Sequence, residues 1–62
     1  MSQYTYRTEW SPEDGEYVGL CAEFLSLSWL DPDPQEALRG IKRLVREVVA
    51  DMQQNGEPVP CL

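Results

Sequence analysis

Residues 33–56 read DPQEALRGIKRLVREVVADMQQNG, and this stretch decides the fold. Asp33 is a favourable N-cap residue, Pro34 suits the first helical position, and Glu36 is placed to complete a capping box. Gly56 supplies the left-handed conformation that ends many helices, and Pro58 discourages the helix from resuming. We therefore expect one amphipathic helix over these residues.

The apolar residues of this helix recur at three- and four-residue spacing. They are Ala37, Leu38, Ile41, Leu44, Val45, Val48, Val49 and Met52. At about 100° per residue they fill one arc of about 140°, the width of a stripe that faces a core. Gly40 lies off that arc and is expected to cost about 1 kcal/mol relative to alanine.

The residues before the helix alternate with the two-residue period of strands. Strands are predicted over 4–10, 16–22 and 26–30, with a hairpin turn at 11–15 and a bend at 23–25. The predicted fold class is α+β: one domain over residues 1–62, with a three-stranded antiparallel sheet and the long helix packed on one face. The tail from residue 57 is expected to be extended or to form a short fourth strand.

The chain carries six aromatic residues, which is more than one helix is expected to cover. They are Tyr4, Tyr6, Trp10, Tyr17, Phe24 and Trp29. In the second strand the alternation sets Val18 and Leu20 on one face and Tyr17, Gly19 and Cys21 on the other. We expect some of the aromatic side chains on the open face of the sheet or at its rim.

The composition is that of an ordinary globular domain rather than a disordered segment, with 42% apolar and 26% charged residues. No apolar run is long enough to cross a membrane, and the N-terminus lacks a signal-peptide pattern, so a cytoplasmic protein is expected. Two cysteines do not make a disulfide framework. Cys21 is expected to be a buried thiol and Cys61 a thiol in the tail.

The net charge of −6 is placed unevenly. Residues 33–56 contain four acidic and four basic residues, whereas the rest of the chain contains seven acidic residues and Arg7 alone. The negative charge therefore lies outside the helix. Such a surface repels phosphate backbones and attracts cationic partners, so we expect no direct binding to nucleic acid.

Four short motifs follow one another along the chain: DGEYV at 14–18, AEFLS at 22–26, QEAL at 35–38 and GEPVP at 56–60. In this order they resemble the N-terminal domain of HicB antitoxins, whose pattern reads D-G-x-Y-V, P-[DE]-L-P-G, G-D-T-x-E-E-A-L and G-x-x-[IV]-P. The resemblance covers nearly the whole chain and needs no gap between residues 17 and 38. The chain departs from the family pattern at 22, 25 and 26 and at 31–33.

The resemblance implies a partial RNase H-type fold and a non-enzymatic antitoxin that occludes a small basic RNA-cleaving toxin of the HicA type. It also implies an oligomer, and we expect a homodimer. An alternative is an orphan HicB-like dimer with a structural or regulatory role and no toxin. The expected partner-binding residues are Glu9, Trp10, Glu23, Phe24, Leu25 and Trp29, with Trp10, Phe24 and Trp29 near the dimer contact. A DNA-binding domain of the kind that often follows in this family is not expected in residues 1–62.

The chain contains no histidine, which excludes histidine-based triads, Cys–His pairs and histidine metal sites. No catalytic residue, cofactor site or metal site is predicted. Asp31, Asp33 and Glu36 are interpreted as capping and helix-dipole residues rather than cation ligands. The acidic residues around the 11–15 turn are interpreted as a solvated hairpin tip.

The helix also carries a basic flank, which consists of Arg39, Lys42, Arg43 and Arg46. It could face phosphate groups, but we interpret it as a solvated face with the pairs Glu36–Arg39 and Arg43–Glu47.

Overall fold

The computed structural model describes residues 4–59 and contains three strands followed by one helix. Strands β1 (Tyr6–Ser11), β2 (Glu16–Cys21) and β3 (Phe24–Asp31) form an antiparallel sheet in the order β1-β2-β3. Helix α1 (Pro34–Gln54) packs on one face of this sheet. The predicted α+β class and the β-β-β-α order are confirmed. Residues 57–59 form no strand, and the remainder of the tail lies outside the described residues.

Both ends of α1 are capped by local hydrogen bonds. The Asp33 carboxylate accepts the N–H of Gln35 at 2.8 Å, as an N-cap should. Gly56 has a φ of +71°; its N–H donates to the carbonyl of Gln53, and the N–H of Glu57 donates to the carbonyl of Met52. These two bonds define a Schellman motif, so the predicted end of the helix is confirmed.

The predicted capping box is wrong in one detail. The N–H of Asp33 is taken by Asp31 Oδ1 at 2.9 Å, whereas Glu36 Oε1 pairs with Arg39 Nη1 at 3.0 Å. Asp31 lies at the end of β3 and reaches the cap from the preceding turn, which leaves Glu36 free to form a pair along the helix.

The helix stripe is confirmed as the core-facing side. Ala37, Ile41 and Val45 are fully buried, and Cys21 of β2 completes the core. The half-buried residues packed against this core are Tyr4, Tyr6, Phe24, Leu27, Leu38, Leu44 and Val49. Cys21 is a free thiol, and burial raises its pKa. It therefore behaves as the small buried hydrophobe that was predicted.

The expected position of Gly40 off the packed side is wrong. Gly40 is buried, and a Cβ atom built on it would overlap the indole of Trp29 from β3. Gly19 of β2 has a similar role, because a Cβ atom there would overlap the Ala37 carbonyl oxygen. Two glycines thus allow α1 to approach the sheet closely.

The strand pairing decides which residues face the helix, because residues directly opposite each other share a face. Tyr6 is paired with Cys21, Trp10 with Tyr17, and Trp29 with Gly19. The six aromatic residues therefore lie on the helix side or at its rim. The expectation that some lie on the open face or at its rim is met at the rim by Trp10, which is 54% exposed.

The second turn is shorter than predicted, and β3 is longer. Residues 22–23 form a two-residue turn, and β3 begins at Phe24, which pairs with Cys21. The next residue pair in register is Leu20 with Ser28, so residues 25–27 form an irregularity in β3. At this start of β3 the Phe24 ring packs against Tyr4 with a centroid separation of 5.6 Å.

The first hairpin lies where it was predicted, with shifted bounds: β1 covers Tyr6–Ser11 rather than 4–10, and the turn covers 12–15 rather than 11–15. Gly15 has a φ of +65°, and its N–H donates to the carbonyl of Ser11 at 2.9 Å. The Ser11 hydroxyl donates to Asp14 Oδ2 at 2.9 Å, and the turn residues 12–15 are exposed. The acidic hairpin tip is therefore solvated, as expected.

Candidate functional site

The turn between β2 and β3 is held by Glu23. Its Oε1 accepts the N–H of Thr5 at 2.8 Å and the thiol of Cys21 at 3.4 Å. The hydrogen bond from the Thr5 backbone favours the ionised carboxylate and lowers the pKa of Glu23. Glu23 therefore ties the residue that precedes β1 to the second turn.

Beside Glu23, the next two residues differ sharply in their surroundings. Phe24 is half-buried and packs against the core, whereas Leu25 is 88% exposed within the irregular part of β3. An exposed leucine on an otherwise polar turn is a candidate anchor for a partner. Among the three predicted contact residues of this turn, Leu25 is the apolar side chain that a partner can reach.

Two other predicted contact residues lie near the far end of the sheet. Trp10 is packed edge-on against Tyr17, with ring centroids 5.1 Å apart. Glu9 lies on the open face of β1 and its Oε1 is 3.4 Å from Nε of Arg7. The alternation of the strand directs the side chains of Glu9 and Trp10 to opposite faces of the sheet.

Trp29 is 39% exposed and lies over Gly40 on the helix side of β3. Its indole borders a small pocket of about 180 Å³. The other lining residues are Glu36, Arg39, Gly40 and Arg43. This side chain therefore packs between the sheet and the basic flank of the helix and does not join Trp10 or Leu25 in one patch.

The six predicted contact residues are thus spread over three places rather than gathered into a single surface. Sequence reasoning missed two features that the structure brings together. The first is an apolar patch on the open face of the sheet, formed by Val18 and Leu20 of β2 and Leu30 of β3. The sequence did contain a signal for this patch. Gly19 and Cys21 are small, so their face of β2 is the one that a helix can approach closely, and Val18 and Leu20 are left on the other face.

The second missed feature is a groove of about 560 Å³ between β1 and α1. Its lining residues are Tyr4, Tyr6, Lys42, Val45, Arg46, Val49, Ala50 and Gln53. Lys42 Nζ lies 5.7 Å from the centre of the Tyr6 ring, within range of a cation–π interaction. Burial raises the pKa of Tyr6, although the nearby Arg46 acts in the opposite direction.

The basic flank of the helix is divided between these two sides. Lys42 and Arg46 border the groove next to β1, whereas Arg39 and Arg43 border the pocket next to Trp29. The predicted pair of Glu36 with Arg39 is present, and the predicted pair of Arg43 with Glu47 is absent from the ion pairs of residues 4–59. The helix therefore does not present one continuous basic stripe to a phosphate backbone.

The carboxylates of Asp31, Asp33 and Glu36, the candidate cation ligands at the start of α1, have other partners. Asp33 accepts from Gln35, Asp31 accepts from Asp33, and Glu36 pairs with Arg39. Within residues 4–59 no group of three or more metal-ligating side chains is arranged to hold an ion. Across the same residues, no helix is both long and apolar enough to cross a membrane.

No family model, curated protein or solved structure matches this chain.

Proposed function

We propose that this chain is a HicB-like antitoxin domain, a non-enzymatic module that binds and occludes a small basic RNA-cleaving toxin. The observation that carries the proposal is the position of the four HicB-like motifs within one β-β-β-α unit. Residues 14–18 span the first turn and the start of β2, and residues 22–26 span the second turn. Residues 35–38 begin α1, and the motif at 56–60 starts at the glycine that ends it.

The distribution of charge supports the same proposal. The sheet half of the molecule holds most of the acidic residues, and at the first hairpin Glu13, Asp14 and Glu16 lie close together in sequence. A basic toxin would be steered towards this half, so the charge would act mainly on the association rate.

Of the six residues expected at the contact, we assign the toxin contact to the three that lie together at the second turn, Glu23, Phe24 and Leu25. Glu9, Trp10 and Trp29 lie elsewhere on the sheet and are left out of it. Leu25 is the exposed apolar member and serves as the anchor, in the way that exposed apolar side chains do at other interfaces. Glu23 and Phe24 hold the turn that carries Leu25. The proposal places the protein in the cytoplasm, where its toxin would cleave RNA, and treats it as a homodimer that does not bind nucleic acid itself.

The test looks beside the gene for the small basic, histidine-containing protein that the proposal requires, and measures its binding to the purified chain. Saturable binding whose association rate falls steeply with salt is expected. Leu25→Asp should weaken the complex at least about tenfold, since an anchor is lost and a charge is buried. Leu30→Asp is the matched control, because Leu30 is an exposed leucine on the open face, outside the assigned contact.

Two results would contradict the proposal. One is the absence of any small basic protein encoded next to this chain. The other is a neighbour of that kind that fails to bind. Either result, together with a stable homodimer, would favour the orphan structural or regulatory module.

A further inference from the structure

The outer edge of β1 is a free sheet edge within the described part of the chain. The sheet order β1-β2-β3 places β1 at one side, and all six of its residues are in register with β2. In residues 4–59 no strand pairs with the other side of β1. A straight edge of this length is a template for pairing with another strand.

The hydrogen bonds of Thr5 show which backbone groups point outward. The N–H of Ala22 donates to the Thr5 carbonyl at 2.9 Å, and the N–H of Thr5 donates to Glu23. Both polar groups of Thr5 are therefore directed towards β2. Because these directions alternate along a strand and the β1–β2 register has no shift, Tyr6, Thr8 and Trp10 present their N–H and C=O groups to the free edge.

The side chains along this edge of one copy are complementary to those along the same edge of a second copy. Residues 6–10 read Tyr-Arg-Thr-Glu-Trp. If two copies of this strand run antiparallel about Thr8, Tyr6 meets the second copy's Trp10 and Arg7 meets the second copy's Glu9. Opposite charges and aromatic pairs are both favourable cross-strand neighbours.

The backbone and the side chains select the same register. With Thr8 at the two-fold axis, the outward groups of Tyr6, Thr8 and Trp10 meet one another and form hydrogen-bonded pairs. Arg7 then meets Glu9 at non-hydrogen-bonded positions, where side chains lie closest. The neighbouring registers with matched backbone groups would place Arg7 against Arg7 or Glu9 against Glu9, which is repulsive.

The helix side of the edge also has room for a second copy. Trp10 is 54% exposed, and the groove beside Tyr6 is open and bordered by Lys42. In the antiparallel arrangement the second copy's Trp10 lies across from Tyr6, at the mouth of that groove. The exposed indole of each copy would thus be covered by its partner.

We propose that two copies of this chain join through the free edges of β1, antiparallel about Thr8, to form one continuous six-stranded sheet. Both helices then lie on the same side of the sheet, and two Arg7–Glu9 pairs lie on the other side. The two-fold symmetry makes the interface self-complementary and closed. The dimer is independent of the proposed toxin, because it follows from the geometry and sequence of β1 alone.

The test is a charge swap measured by sedimentation equilibrium up to about 100 μM protein, where weak dimers are still populated. Arg7→Glu and Glu9→Arg each place like charges opposite one another, and each should weaken the dimer about tenfold or more. The double variant carrying both substitutions restores opposite charges and should dimerise like the unchanged chain. An equimolar mixture of the two single variants should form a heterodimer.

Both residues are exposed, so circular dichroism melts should show that all variants remain folded. The control is Arg43→Glu, a charge reversal at an exposed position of α1 away from this edge, which should leave the dimer intact. The proposal is overturned if the unchanged chain is monomeric, or if the single charge reversals dimerise normally. Failure of the double variant or of the mixture to associate would overturn it as well, since neither failure is compatible with an Arg7–Glu9 register.

Discussion

The indole of Trp29 lies on the backbone of Gly40, in space that any side chain at position 40 would occupy. This contact joins β3 to the N-terminal third of α1. It also reverses the expected effect of the glycine. In an isolated helix Gly40 lowers the stability of the helix relative to alanine. In the folded chain the same glycine provides the surface on which the Trp29 indole packs.

Gly40→Ala is therefore expected to destabilise the fold by about 1–3 kcal/mol through overpacking, although helix propensity alone favours alanine by about 1 kcal/mol. Urea unfolding measures the change, and the fluorescence of Trp29 should move to the red as its indole is displaced. In a Trp29→Ala background the obstacle is gone, and the same substitution should become stabilising. A stabilising effect in both backgrounds would contradict the contact.

The helix and its ends were predictable because their signals are local. The N-cap at Asp33, the terminating glycine at Gly56 and the apolar stripe depend on neighbouring residues and on helical periodicity. The role of Gly40 was not predictable from periodicity, because it depends on a side chain from β3 that is distant in sequence. Propensity describes a helix alone and carries no information on what packs against it.

The sheet was predictable in outline and less so in detail. Alternation located the strands, but alternation does not say which face a helix will cover. The covered face of β2 carries Gly19 and Cys21, which are small enough for close approach, while the bulkier Val18 and Leu20 remain on the open face. The predicted contact residues were dispersed for the same reason, since face and register are set by tertiary packing.

Val45→Asp tests the assignment of the core. Val45 is 1% exposed, and a carboxylate placed there would lose its hydration without gaining a partner. We expect the variant to lose its cooperative thermal transition. Arg46→Asp is the control: it introduces the same residue at the next, exposed position and should remain folded. A melting curve for Val45→Asp close to that of the unchanged chain would show that the stripe is misassigned.

The hydrogen bonds to Glu23 predict a pH dependence of stability. Because the pKa of Glu23 is lowered in the folded chain, its contribution is present above the ordinary glutamate pKa of about 4.3 and is lost as the pH falls through the folded pKa. Urea unfolding of Glu23→Gln and the unchanged chain should therefore differ most near neutral pH and converge in acid. Glu13→Gln, at the exposed hairpin tip, is the control and should show no such convergence. An equal difference between the Glu23→Gln and unchanged chains at every pH would refute the role of the charge.

The isolated chain is expected to bind neither duplex DNA nor RNA at about 150 mM salt, since few cations are available to displace counterions from phosphate. An electrophoretic mobility shift assay measures this directly. The opposite finding would be micromolar binding that is lost when Arg39→Glu and Arg43→Glu are combined. That result would assign the basic flank of α1 to phosphate recognition.

The proposed function makes one central claim, that this acidic β-β-β-α domain would silence a basic RNA-cleaving toxin by covering it. The most direct measurement takes the small basic, histidine-containing protein that the proposal requires beside this chain and records the rate at which it cleaves RNA while the purified chain is titrated in. The account predicts that cleavage falls to zero at a fixed stoichiometric ratio and that Leu25→Asp shifts the titration to higher concentration. Cleavage that continues unchanged in the presence of excess folded chain would contradict the claim.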